Sequence, residues 1–179
     1  MSVHAFVDES RRKDTYYLVA AIVQPEDLKR LRTQLRGLLF PGQRELHFYK
    51  EKQARRRLLL SRVVEFGARV DIYRASCRWS EESARQECLA RLTEDLLDVG
   101  GRRLVLDSRE ERDAHDESTI RLALGKRARD TGLVYEHFNG TGEPLLWLAD
   151  IAGWCHGAGG DWARRVAPMV GSVIRLDWP

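Results

Sequence analysis

The chain has 179 residues, 43% apolar and 32% charged, with a formal net charge of +3. That is the composition of an ordinary globular protein with enough length to bury a core, and it excludes an intrinsically disordered chain. No apolar run approaches the ~20 residues needed to cross a bilayer, and the start lacks a basic stretch leading into an apolar one, so it does not read as a signal peptide. A single domain over 1–179 is expected, with no membrane contact and a cytoplasmic location.

Val3 to Val7 reads as a short apolar strand with Asp8 at its end. Arg11 to Thr15 is polar and turn-like. Tyr16 to Val23 (YYLVAAIV) is apolar throughout, as a central strand is, so 3–9 and 15–23 form a hairpin. Pro25 opens a helix with Leu28, Leu31, Leu35 and Leu38 on one face, and Pro41-Gly42 breaks it. The stretch 45–49 fits either an extended segment or a helix entry. A helix over 52–66 follows, with Leu59, Val63 and Phe66 on one face and the triplet Arg55, Arg56, Arg57 on another. Val70 to Ala75 alternates weakly as a strand.

Ser80 is placed to cap a helix that runs to Val99, with Leu89, Leu92, Leu96 and Leu97 inward and Gly100-Gly101 as the stop. Arg103 to Asp107 is a strand. The segment 110–130 is a mostly polar helix anchored by Ile120, Leu122 and Leu124. Leu133 to Phe138 is a strand closed by an Asn139-Gly140 turn. Leu145 to His156 is an apolar helix holding Asp150. Gly157 to Gly160 is a flexible link, 162–170 a helix and 173–176 a last strand. This order describes a mixed α/β fold whose sheet has one antiparallel strand and is otherwise parallel.

Four acids stand out: Asp8, Glu45, Asp107 and Asp150. In three of them an apolar stretch delivers the carboxylate to a fixed place, and ligands in such sheets gather at strand carboxyl ends. A carboxylate in an apolar helix is expensive to bury without a cation or hydrogen-bond donors, which makes Asp150 the most telling. Hard oxygen donors suit Mg²⁺ or Mn²⁺, two ions being expected, and leave nothing for a soft metal. The competing reading of Asp107 is a cap on the helix that follows it, and that of Asp150 is a buried salt bridge to arginine. His47 shares a face with Glu45 if the segment is extended, where it positions water, shuttles a proton or serves structure alone. Glu9 is a further catalytic-site candidate: it points away from Asp8 in a regular strand, where it supports the site from behind or orders the loop, with plain solvation as the alternative. Glu136 and His137 fall on opposite faces of their strand, and Trp147 and Trp154 share one helix face as packing groups.

Of the 30 basic residues 25 are arginine. Seven lie between Arg44 and Arg62 against two acids, and Arg11-Arg12-Lys13 follows Asp8 closely. Arg11, Arg12, Lys50, Lys52, Arg55 and Arg56 are the candidates for holding a polyanion such as RNA or DNA, with solvated surface as the alternative. Cys77, Cys88 and Cys155 are odd in number and lack CxxC spacing, so buried reduced thiols are expected. Cys155 and His156 are helix neighbours about 100° apart, which argues against a catalytic pair.

The VDES strand end, the Glu-x-His motif after the first helix, the apolar strand ending in Asp107 and the LADIAG helix together resemble the RNase H-like family known as domain of unknown function 3800. The resemblance covers the chain from Val3 to about Gly157. It implies one RNase H-like domain with a mixed five-stranded sheet and flanking helices. It also implies nuclease activity, with Asp8 bridging the metals, Asp107 its partner, Asp150 the helix-borne ligand, and Glu45 with His47 completing the site. Two departures stand out. Glu45 follows a Pro-Gly break where better-known RNase H-like enzymes take this acid from inside a helix, and Arg11 stands where members often have glycine. The function expected is phosphodiester hydrolysis of RNA or DNA by a two-metal carboxylate site. The alternatives are a nucleic-acid-binding module that does not cut, and a regulatory subunit of a phage-defence or mobile-element assembly, a reading that rests on analogy alone.

Overall fold

A hairpin that is apolar on both faces opens the chain, and the rest of the molecule covers those faces. The computed structural model describes residues 2–176, so Met1 and 177–179 of the expected domain lie outside the described residues. The strands are β1 (Val3–Arg12), β2 (Thr15–Val23), β3 (Arg69–Ser76), β4 (Gly101–Asp107), β5 (Val134–Phe138) and β6 (Val170–Arg175). They form one six-stranded sheet in the order β5-β4-β1-β2-β3-β6. β2 is antiparallel to β1 and β3, whereas β1–β4, β4–β5 and β3–β6 are parallel. The single antiparallel strand agrees with the sequence reading. The sheet has six strands rather than the five implied by the resemblance, because the tail adds β6 beyond β3.

The helices are α1 (Leu28–Arg36), α2 (Gln53–Glu65), α3 (Glu81–Asp98), α4 (Asp113–Leu124), α5 (Leu145–Ala158) and α6 (Gly160–Val166). Side chains alternate across each strand, so one sheet yields two cores. Phe6, Val19, Ala21, Ile72 and Val105 face α1, α2, α5 and α6. Ala5, Val7, Leu18, Ala20, Leu104 and Leu106 face α3 and α4. α5 is apolar all round and buried along nearly its whole length. Each buried Leu or Ile on it contributes roughly 1.5–3 kcal/mol, enough to carry one carboxylate in its middle. Ser80 caps α3 as expected, its side chain accepting from Ser83 N–H at 3.1 Å.

Several boundaries moved. β1 runs on to Arg12 instead of ending at Asp8, because the hairpin continues to a two-residue turn at Lys13-Asp14, with Arg12 opposite Thr15. Its pairing with β4, however, stops at Val7 opposite Leu106. The helix expected over 110–130 is regular only as α4, and Gly125 (φ 49°) ends it. Leu122 is exposed on α4 while Ile120 and Leu124 are buried, as four-residue spacing dictates. Gly157 and Ala158 belong to α5, and the link reduces to Gly159 (φ 70°). α6 ends at Val166 because Ala167–Met169 tightens into a 3-10 turn before β6 begins. The ambiguous stretch 45–47 is irregular and leads into a 3-10 turn, Phe48–Lys50.

Candidate functional site

Asp8 is the first residue of β1 beyond its pairing with β4, and Asp107 is the last residue of β4. Both follow an inward-facing residue of the α3/α4 side, Val7 and Leu106, so alternation turns both carboxylates toward α5. α5 approaches the hairpin closely at Gly153, where a Cβ would stand 3.1 Å from Val19 Cγ2 and 3.2 Å from Ser10 Cβ. Asp150 lies three residues before Gly153, on the same side of the helix. Val19 is itself the β2 partner of Asp8. The LADIAG sequence thus supplies both the close approach and the acid.

Asp8, Glu45, His47, Asp107 and Asp150 line one small cavity of about 50 Å³, with Leu46, Gly140, Leu146 and Trp147. Glu45 arrives on the irregular segment before Phe48. It packs against Gly140, where a Cβ would collide with Glu45 Oε2. Trp147 Nε1 donates to the Gly140 carbonyl at 2.8 Å and fixes that turn. His47 Nε2 lies 2.7 Å from Glu45 Oε1, and at 42% side-chain exposure against 27% for Glu45 it forms the outer wall. Asp150 Oδ2 accepts the Phe48 backbone N–H at 3.0 Å, which ties the Glu45 segment to α5. Asp8 Oδ1 accepts from the Glu9 N–H at 2.7 Å.

Among the described residues, the one ion pair of these five is that between Glu45 and His47. The salt bridge to arginine considered for Asp150 is therefore replaced by a backbone hydrogen bond. Burial pushes the Asp8 carboxyl well up, and Asp150 and Asp107 push it further, with the Glu9 N–H opposing. Burial, then Glu45, Glu9 and Asp150, raise Asp107 to about 6, with Arg85 pulling the other way. Burial also raises Asp150, opposed by the Phe48 N–H and His47. Asp8, Asp107 and Asp150 are thus buried beside other acids, with no ion pair among the described residues to offset it. The donor set is carboxylate oxygen with one imidazole, which fits hard divalent cations.

Glu9 faces the opposite side of the sheet, as alternation predicts. There it accepts from Tyr16 Oη at 2.6 Å and Arg85 Nη1 at 2.8 Å. Arg85 also holds Asp116 by two 2.8 Å hydrogen bonds, and Arg109 and His137 reach Asp116 at 3.0 and 3.1 Å. Asp113, Asp116 and His137 are the one group among the described residues whose three ligand atoms lie within 4.8 Å of one another. Two guanidinium groups already neutralise that group, so it reads as an ion-pair network. The sequence reading missed it. Arg85 lies four residues before Leu89 and seven before Leu92, on the apolar stripe of α3, and a charge on such a stripe was the available signal.

The basic candidates divide. Arg55 pairs with Glu51 at 3.0 Å and donates to Leu38 O at 3.1 Å. Arg56 donates to Phe48 O at 2.9 Å and Tyr49 O at 2.5 Å. Arg12 and Arg56 lie 5.0 and 4.7 Å from the Trp154 ring. Arg11 pairs with exposed Glu81 at 2.6 Å, while Lys50 and Lys52 are exposed. The three cysteines are buried. Burial and Asp150 push the Cys155 thiol up to about 12, and His156 packs edge-on against Tyr17, so no nucleophilic pair forms. Glu136 pairs with Arg103 on the face opposite His137.

No protein-family model matches the chain, and no curated protein is similar to it. Among solved structures, a chain of the PCNA:RNase HII complex from Archaeoglobus fulgidus is similar at a TM-score of 0.48 and 17% identity, over 86% of this chain and 70% of that one. A likeness at that level leaves the chemistry to the residues themselves. No helix among the described residues is long and apolar enough to cross a membrane.

Proposed function

We propose that the protein is a divalent-metal-dependent nuclease with an RNase H-like domain, of the kind its motifs resemble, hydrolysing phosphodiester bonds of RNA or DNA. One observation carries this reading: four acids from four separate segments line one cavity, and the three that are shifted upward form no ion pair among the described residues. Asp8, Asp107, Asp150 and Glu45 would hold Mg²⁺ or Mn²⁺. Two ions are proposed, as two-metal phosphodiester hydrolysis uses. Bound there, the ions would activate a water for in-line attack and stabilise the leaving oxygen.

The chain's own groups do the rest. Phe48 N–H holds Asp150, and Gly140 leaves room for Glu45 beside it. His47, bonded to Glu45 at the outer wall, would take a proton from the attacking water or deliver one to the leaving oxygen. Lys50 and Lys52 supply the exposed positive charge for a phosphate backbone. Arg11 assists through a surface pair that is easily exchanged. A module that binds without cutting would gain nothing from unpaired acids beside phosphates.

The test is cleavage of end-labelled RNA, single- and double-stranded DNA and an RNA–DNA hybrid, in Mg²⁺, Mn²⁺ and EDTA. Wild type should cut only with metal, and Asp107→Asn should be slower by about 100-fold or more, the loss of several kcal/mol of charge stabilisation. Equal rates for the two proteins, cutting in EDTA, or intact substrates throughout would sink the reading.

A further inference from the structure

The turn beside the acids presents one aromatic ring inward and the next outward. Phe48 is fully buried, its ring 5.2 Å from Trp154 and 6.1 Å from Trp162. Tyr49 is 59% exposed. The backbone beneath it is held at three points: Phe48 N–H to Asp150 at 3.0 Å, and Arg56 to the carbonyls of Phe48 and Tyr49 at 2.9 and 2.5 Å. Its ring centroid is 6.3 Å from that of His47, which is bonded to Glu45 in the cavity. Lys50 Nζ lies 5.6 Å from the centroid of the same ring.

A large exposed ring on a turn held by three hydrogen bonds, near both a cavity of acids and an exposed lysine, has the parts of a stacking platform. Aromatic rings hold single strands by stacking on bases, and nearby cations track the backbone. Within a duplex each base already has neighbours on both faces, so only an unpaired base offers its π face. We propose that Tyr49 stacks on an unpaired base next to the phosphate at the acids, with Lys50 and Lys52 on the flanking backbone. The protein then selects single-stranded nucleic acid. This rests on the nuclease reading and adds the strandedness of its substrate.

The experiment measures fluorescence anisotropy of a labelled single strand of about 16 nucleotides, and of the same strand annealed to its complement, in Mg²⁺. All proteins carry Asp107→Asn so that no strand is cut. Adding Tyr49→Ala should weaken single-strand binding by about ten-fold or more, from the loss of one stacked base. Tyr49→Phe should bind as the parent does, and duplex affinity should move less than about two-fold. Thermal melting of the Ala variant should match the parent, since the ring is exposed; if it does not, Tyr49→Leu, which keeps bulk without a π face, takes its place and should show the same loss.

Unchanged single-strand affinity in Tyr49→Ala overturns the platform and leaves the nuclease reading standing. Equal loss on both strand types overturns the single-strand assignment, and loss in Tyr49→Phe shows a hydroxyl contact in place of stacking. A parent that binds neither probe overturns the platform, and the nuclease reading falls with it only if wild type also leaves every substrate intact.

Discussion

Asp8 and Glu9 are adjacent in sequence and stand on opposite faces of one strand, each in a cluster of acids. On the α3/α4 face, Glu9 and Asp116 meet Arg85, Arg109 and the Tyr16 hydroxyl, and every partner is within hydrogen-bond reach. Burial would raise the Asp116 carboxyl, yet Arg85 and His137 hold it below the ordinary range. On the α5 face, Asp8, Asp107 and Asp150 are all pushed up, first by burial and then by neighbouring acids, Glu45 among them. The same residue type is locked down on one side and left electrostatically unsatisfied on the other. A folded protein keeps unsatisfied charge where a ligand relieves it, so the difference points to where ligand binding belongs.

Removing the cation that closes the network should have the largest effect on stability. Arg85→Met leaves buried Asp116 and half-buried Glu9 with fewer partners, which destabilises by about 3 kcal/mol or more and lowers Tm by about 10 °C. Adding Asp116→Leu should recover part of the loss, because a buried pair replaced by apolar groups is better tolerated than a pair cut in half. Thermal melting of the two variants checks this. An unchanged Tm for Arg85→Met alone would erase the contrast between the faces.

The sequence made one half of the comparison legible and hid the other. Asp8, Asp107 and Asp150 could be read because each ends or interrupts an apolar stretch, and strand alternation then sets their side. The hairpin and the lone antiparallel strand were legible from the unbroken apolar run at 16–23. Asp8 looked like a strand end for a sound reason: β1 does lose its β4 neighbour there, although the hairpin carries it on to Arg12. The arginine network was hidden because it joins β1, β2, α3, α4 and β5 through side chains with no local pattern. The basic run 50–57 misled in a similar way. Arg55 and Arg56 close the loop under Phe48, and only the folded chain distinguishes such internal donors from free ones.

Divalent ions sharpen the comparison with an intermediate effect. Mg²⁺ at about 100 times its dissociation constant should stabilise wild type by about 2.7 kcal/mol, read as a rise in Tm. Asp150→Asn should abolish the rise, whereas Asp113→Asn should retain it. The opposite pattern would move the metal to Asp113, Asp116 and His137 and overturn the assignment of the cavity.

The smallest effect carries the clearest sign. The Asp107 carboxyl sits at about 6 in the folded chain against an ordinary 3.8. Below 3.8 it is protonated in both folded and unfolded chains, and above about 6 it is ionised in both. Between those values the folded chain holds a proton that the unfolded chain has lost, so stability falls as pH rises through this window and stays lower above it. Asp8 and Asp150 shift in the same direction. Asp116, held low, works in reverse: its contribution is present above 3.8 and is lost as pH falls below it. Asp107→Asn should therefore be more stable than wild type at about pH 8, by about 1 kcal/mol once solvent screening is allowed for. The gap should close toward pH 3.8, and saturating Mg²⁺ should close it at high pH as well. Urea melts at stepped pH, with and without Mg²⁺, measure this directly. A variant less stable than wild type at high pH would mean that the Asp107 carboxylate has a favourable partner and that the cavity is not short of positive charge. A more stable variant that has also lost metal-dependent cleavage would show function and stability opposed at one atom, as expected where acids are gathered for a cation the folded chain does not itself supply.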